Sequence, residues 1–300
     1  MLRFFNSPID HAGDDQTPPG PEPRINAWPL NEAHIDYVEG APKAGLIQRL
    51  DLPIEVSTIL HRDQFSDESD ITTGWHAIEF LLWGQDLSAD GPGARPWQDF
   101  LPDDVIRERR RRYLALITQL LVDDLQELAE SWRLDRPDGY AAWLSTQPAV
   151  EVLGRGLHGA ASLATIEVYG ERLSVALDSG SQEDEHSCFS DNTVADLLSD
   201  VEGIEFFVSA RYEDAPLGAS VLDLLRWRKP SLAARLEDSI AATRAGLLAI
   251  DERFDQILLQ PADSPARLQA EAAAEAARQI AVALKAAAEE LGINIVIPGV

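Results

Sequence analysis

The sequence predicts an all-α protein, and three observations carry the prediction. Apolar residues recur at three- and four-residue intervals through most of the chain. Ser, Asp and Pro stand where such stretches begin, and Gly stands where several of them end. Taken in order, residues 1–24 hold Pro8, Pro18, Pro19, Pro21 and Pro23 among acidic and polar residues and read as an extended lead-in. Residues 31–38 make a short helix, in which His34 and Asp36 are two apart and do not face each other. Residues 40–70 are loop-rich, with Gly40, Pro42, Gly45 and Pro53, and His61 lies there without a motif. Next comes a helix from about 70 to 84, with Asp70 as its N-cap and Gly84 as its stop. Asp90 to Trp97 is turn-rich. A long helix follows over about 102–134, acidic in its first turn as the helix dipole favours. Its run from Arg107 to Arg112 reads as a solvated, ion-paired face.

Further along, 138–146 is a short helix and 154–177 a longer one. The latter is rich in small residues that let a neighbour approach closely, and His158 among them reads as a core or interface side chain. Helices are predicted over 194–210, 220–227, 230–250 and from 264 to just before Gly292. Pro230 and Ser264-Pro265 mark two of their starts. The apolar tail, 293–300, reads as an extended, strand-like end.

Composition narrows function. A net charge of −26 over 300 residues argues against nucleic acid or an anionic membrane as partner. No run of eighteen apolar residues exists to span a bilayer. One cysteine, Cys188, rules out an internal disulfide framework and reads as a buried small side chain. The first eight residues lack the apolar core and cleavage site of a signal peptide.

Two stretches carry candidate chemistry. In the 70–84 helix, Ile71, Trp75, Ile78 and Leu82 form an apolar stripe. Thr72, His76, Glu79 and Trp83 form a second stripe one residue out of phase. His76 and Glu79 are three apart and project from one side of the helix. An imidazole and a carboxylate so placed can bind a metal or hold each other for proton transfer. Spacing alone favours the plainer reading, a polar pair bridging two buried helices. The second stretch, Ser181 to Thr193, is dense in oxygen and nitrogen donors. If it is helical, Glu183 and His186 form an ExxH pair, as in di-iron carboxylate bundles; otherwise it is a solvated acidic loop. Arg95, a lone cation in acidic surroundings, can orient a substrate carboxylate or sit in a structural ion pair.

Gly74-Trp75-His76-Ala77-Ile78-Glu79 resembles the GxHxxE motif of the imelysin family, which includes insulin-cleaving metallopeptidase-like and iron-regulated proteins of bacterial envelopes. Gln182 to Thr193 resembles that family's second signature, ending His-Ser-Cys-Phe-Ser-Asp-Asn-Thr, and Ile25 to Leu30 a third. The resemblance covers roughly residues 2–300. It implies two helical-bundle domains with long loops and a site near their junction, expected here as residues 1–190 and 191–300. Family members carry a signal peptide and a helix pair before the segment matching Leu2 to Asp10, so the expectation is a first bundle incomplete at its start.

The function it implies is metal binding linked to bacterial iron uptake, in the periplasm or cell envelope, with other iron-uptake components as partners. The expected metal is divalent, iron before zinc. His76, Glu79, Glu183 and His186 are the expected ligands, and Trp75, Arg95, Asp184, Glu185 and Asp191 line the site. The alternatives are a metallopeptidase with Glu79 as general base, and a metal-free module binding a peptide or small ligand. Against the peptidase, HxxE is not the HExxH helix of the zinc peptidases.

Overall fold

The computed structural model describes residues 20–88, 90–212 and 215–299. Most of the predicted lead-in lies outside them. The described chain is helical apart from a hairpin of two-residue strands, β1 (Arg211–Tyr212) and β2 (Ala215–Pro216). None of its helices is long and apolar enough to cross a membrane. The chain forms two compact bodies. One takes the described residues up to Ser145 together with Ser187–Asp191, and the other takes Thr146–His186 and the described residues from Asn192 onward. The division expected at 190/191 thus falls at 145/146, and a five-residue excursion returns to the first body. The predicted boundary followed the sequence signature, whereas packing follows where each helix buries its apolar face.

The first body is short helices and loops wrapped on one long rod. These helices are α1 (Glu22–Ile25), α2 (Glu32–Ile35), α3 (Val56–Arg62) and α4 (Gly74–Trp83), and the rod is α5 (Val105–Ser131), with α6 (Tyr140–Ser145) after it. Asp104 caps α5 by accepting from the amides of Ile106 and Arg107. Arg110, Tyr113, Ile117, Leu121 and Asp124 make its buried stripe at three- and four-residue intervals. Ile35, Ile47, Ile59, Ile71, Phe80 and Leu81 complete the core against Tyr113 and Ile117.

The arginine run does not form the solvated face expected of it. Only Arg107 and Arg111 pair at the surface, with Asp103 and Glu108. Arg109 donates to the carbonyls of Leu46, Ile47, Arg49 and Leu52, and Arg112 to that of Ile54. Arg110 is buried on Asp36, at 2.5 Å. A loop without backbone ladders needs donors for its carbonyls, and guanidinium forks supply them.

The second body is a helical bundle. α7 (Ala149–Ser162) runs into a π-helix (Leu163–Ser174) and then α8 (Val175–Ser179). In the π-helix, residues five apart share a face. Arg172 accordingly meets Glu167 at 3.1 Å, and the Ser174 hydroxyl donates to the Tyr169 carbonyl. α9 (Thr193–Ser209), α10 (Val221–Arg228), α11 (Pro230–Leu248), α12 (Phe254–Leu258) and α13 (Pro265–Glu290) follow. The Ala-rich α13 is the centre, packed on α11, the π-helix and α7. Small side chains permit close approach: a Cβ at Gly156 would stand 2.3 Å from the Phe207 ring. Ser220 and Asp223 form a reciprocal cap on α10. The tail is extended as expected, burying Ile293, Ile295 and Ile297 in alternation.

Candidate functional site

α4 begins where α1 ends. Gly74 has φ +85°, and a Cβ there would lie 2.6 Å from the Ile25 carbonyl oxygen. Only glycine lets this helix start against α1. Asp70 is not the N-cap. That position is Thr73, whose side chain makes no capping bond. The Asp70 carboxylate instead accepts from Asn31 Nδ2 at 2.8 Å and from the Ser66 hydroxyl. Gly84 ends the helix with φ +75°.

α4 buries the histidine and the glutamate of its polar stripe. His76 and Glu79 are 3% and 8% exposed, whereas Trp75 and Leu82 of the apolar stripe are 51% and 45% exposed. The inward face has partners suited to it. The His76 ring lies 4.7 Å from that of Trp28, and Phe189 packs between Trp28 and Phe80. His76 Nδ1 meets Glu79 Oε2 at 3.1 Å. Glu79 Oε1 accepts from Ser190 twice, from the backbone amide at 3.0 Å and from the hydroxyl at 2.6 Å. The segment bearing Phe189 and Ser190 is held in turn by the Gly93 amide, which donates to the Phe189 carbonyl at 2.9 Å.

The polarity of these bonds fixes roles. Ser190 donates to Glu79 twice, which suits the ionised carboxylate, an acceptor only. An ionised Glu79 makes His76 Nδ1 the donor in this pair. A histidine backed by a carboxylate through its other nitrogen is the arrangement that orients imidazole ligands of metals. In this geometry Glu79 holds the His76 ring through Nδ1.

Of the other predicted site residues, Asp191 is in the same body, with left-handed backbone (φ +56°). One of its carboxylate oxygens lies within 4.8 Å of one of Asp86. Arg95 is buried in a structural ion pair. Its Nη1 donates to Asp36 at 3.0 Å, and its guanidinium lies over the Tyr37 and Phe80 rings. Glu183, Asp184, Glu185 and His186 belong to the second body. Ser181 caps a single 3-10 turn, Gln182–Asp184, and Glu185 is already extended. The helical ExxH geometry for Glu183 and His186 is therefore absent. Glu183 is exposed, while Glu185 and His186 are buried. Sequence reasoning missed Trp28 and Ser190 as individuals, although both lie inside strings it had marked as signatures.

A helical protein with a buried histidine–glutamate pair on a Gly-initiated HxxE helix, backed by a second signature segment, is defined by fold and site together. The chain belongs to the imelysin family: the profile of Imelysin, peptidase family M75, matches residues 2–283. Its fold is similar to that of a solved chain described as an iron-regulated protein A precursor from Parabacteroides distasonis. The TM-score is 0.67 at 17% identity, covering 96% of this chain and 80% of that one. None of the curated proteins compared matches the sequence.

Family membership implies a metal, and the residues meet that implication in part. An imidazole nitrogen held by a buried carboxylate suits a borderline cation such as iron or zinc. A catalytic zinc wants three protein ligands. Among the described residues, no group of three potential His, Cys, Asp or Glu ligands includes His76 or Glu79. The donor set fits attachment of an ion through His76 and does not fit a closed zinc cage.

Proposed function

We propose that this chain is a metal-binding protein of the bacterial cell envelope or periplasm, linked to iron uptake, with iron as its cargo. The observation that carries the reading is the bond chain Ser190–Glu79–His76, which aims one imidazole nitrogen as metal-ligand histidines are aimed. Imelysin membership supports it, as does the likeness to a chain described as an iron-regulated protein precursor. His76 supplies the nitrogen ligand, Glu79 orients it, and Ser190 holds Glu79. Asp191 adds negative charge in the same body. Bound iron would supply an electrophilic centre that exchanges the remaining ligands with its carrier.

Peptidase activity ranks second, because both oxygens of Glu79 are engaged. A general base for water would have to release one of them. The deciding experiment is iron titration by calorimetry with metal analysis, on the wild type and on a His76→Ala/Glu79→Ala double variant. Stoichiometric binding in the wild type and its loss in the double variant are expected. Equal binding in both overturns the proposal. Peptide hydrolysis abolished in the double variant, without iron binding by the wild type, would put the peptidase reading in its place.

A further inference from the structure

The chain contains two Asp-Gly pairs, Asp90-Gly91 and Asp138-Gly139, and no Asn-Gly pair. Glycine has no Cβ to shield its backbone nitrogen. That nitrogen can therefore reach the carboxyl carbon of the preceding aspartate and close a five-membered ring. Whether it does so depends on how each group is held, and the structure holds the two pairs differently.

At Asp138-Gly139 both reacting groups are engaged. The Asp138 carboxylate accepts from Arg136 Nη2 at 3.3 Å. That hydrogen bond holds its carboxyl below the usual carboxylate range, in the ionised form that has no hydroxyl to lose as water. The Gly139 amide donates to the Arg136 carbonyl at 3.1 Å, and the Gly139 carbonyl accepts from the Trp143 amide at 3.1 Å as α6 begins. Asp90-Gly91 lies instead in the loop after α4, outside any helix or strand. Asp90 is exposed, and its amide donates to the Ser88 hydroxyl at 3.1 Å. Among the described residues nothing donates to the Asp90 carboxylate, and nothing accepts from the Gly91 amide.

We infer that Asp90 is a site of spontaneous covalent modification, where aspartate turns into isoaspartate, and that this change loosens the neighbouring hold on Phe189. The Gly91 nitrogen attacks Cγ of the neutral Asp90 carboxyl. The N–Cγ bond forms, and the amide hydrogen leaves with the carboxyl hydroxyl as water, giving a succinimide. Water then reopens the ring. Attack at Cγ restores aspartate, whereas attack at the Asp90 carbonyl carbon leaves the chain running through Cγ, with a free α-carboxylate. One water leaves and one enters, so no oxidant or partner enzyme is needed. The isoaspartyl chain carries one extra main-chain carbon, two residues before Gly93. There the fit is tight: the Gly93 amide donates to the Phe189 carbonyl at 2.9 Å, and a Cβ at Gly93 would lie 2.6 Å from the Trp83 carbonyl oxygen. This inference does not depend on whether the chain binds iron.

The test is to hold the purified full chain warm at neutral pH for weeks, in ordinary and in heavy-oxygen water. Peptides are then mapped with endoproteinase Asp-N, which cuts before aspartate and not before isoaspartate. Isoaspartate is also labelled with an L-isoaspartyl methyltransferase and radioactive S-adenosylmethionine. Cleavage before Asp90 should fade, with label and heavy oxygen gained there, about tenfold or more faster than at Asp138. Asp90→Glu should abolish the label, because its ring would need six members. Hydrogen exchange at the Gly93 amide should be about tenfold faster in the aged chain than in the fresh one. The inference falls if position 90 gains no label, if Asp138 changes as fast as Asp90, or if Gly93 exchanges equally in both samples.

Discussion

Ser190 shows how much can depend on one hydroxyl. Its Oγ lies 2.6 Å from Glu79 Oε1 and its amide 3.0 Å from the same atom, so alanine removes the first bond and spares the second. A hydrogen bond to a charged group contributes about 1.5–3 kcal/mol. Ser190→Ala should therefore lower stability by about 1–2 kcal/mol in urea unfolding. If the metal reading holds, it should also weaken iron binding about tenfold, as loss of the groups that aim a ligand does. A stability loss with intact iron affinity would mean that Ser190 serves packing alone. Trp28 acts differently, since its ring lies against His76 and fixes the imidazole plane without a hydrogen bond.

Between elements, buried charge sets the geometry. Asp36 is fully buried and accepts from Gln48, Arg95 and Arg110. It thereby ties the segment after α2 to the loop after α4 and to α5. Asp36→Asn keeps the shape but leaves two buried guanidinium groups short of their anion. A loss of about 3–5 kcal/mol by urea unfolding is expected.

In the second body, burial pushes the Asp200 carboxyl of α9 up to about 6. Nearby Glu167 and Asp196 add to the rise, and Arg172 opposes it. A folded value above the unfolded one means that the folded state holds the extra proton between about pH 4 and 6, so this group's contribution to stability falls as pH rises through that window. Asp200→Asn mimics the protonated form. It should raise the melting temperature at pH 8 by about 3 °C or more and leave it unchanged at pH 4; an equal effect at both pH values would remove titration as the cause.

At the scale of the molecule, charge dominates. With −26 on 300 residues, self-repulsion destabilises the compact state, whereas the exposed ion pairs are worth about 0–1 kcal/mol each. Screening should therefore stabilise on balance, and the urea midpoint should rise between roughly 0.01 and 0.5 M NaCl. A falling midpoint would mean that the surface pairs outweigh the repulsion.

Much of this architecture can be read from the chain because its causes are local. Helix periodicity, the Ser220, Ser264 and Asp104 caps, Pro230 at a first turn and the Gly84 stop each act within a few residues. They give the all-α class and most helix ends before any packing is known. The pairing of His76 with Glu79 is local too, being three residues along one helix.

What periodicity could not decide is which stripe of α4 turns inward. Trp75, Ile78 and Leu82 look like the core face by hydrophobicity. Yet the imidazole and carboxylate are buried, because Trp28 and Ser190, 48 and 111 positions away from His76 and Glu79 in the chain, stand ready to receive them. The same holds for Arg110, which only a distant Asp36 draws out of a basic run. Burying a polar group costs free energy unless a partner awaits it, and that partner is supplied by the tertiary structure, beyond the reach of any local pattern.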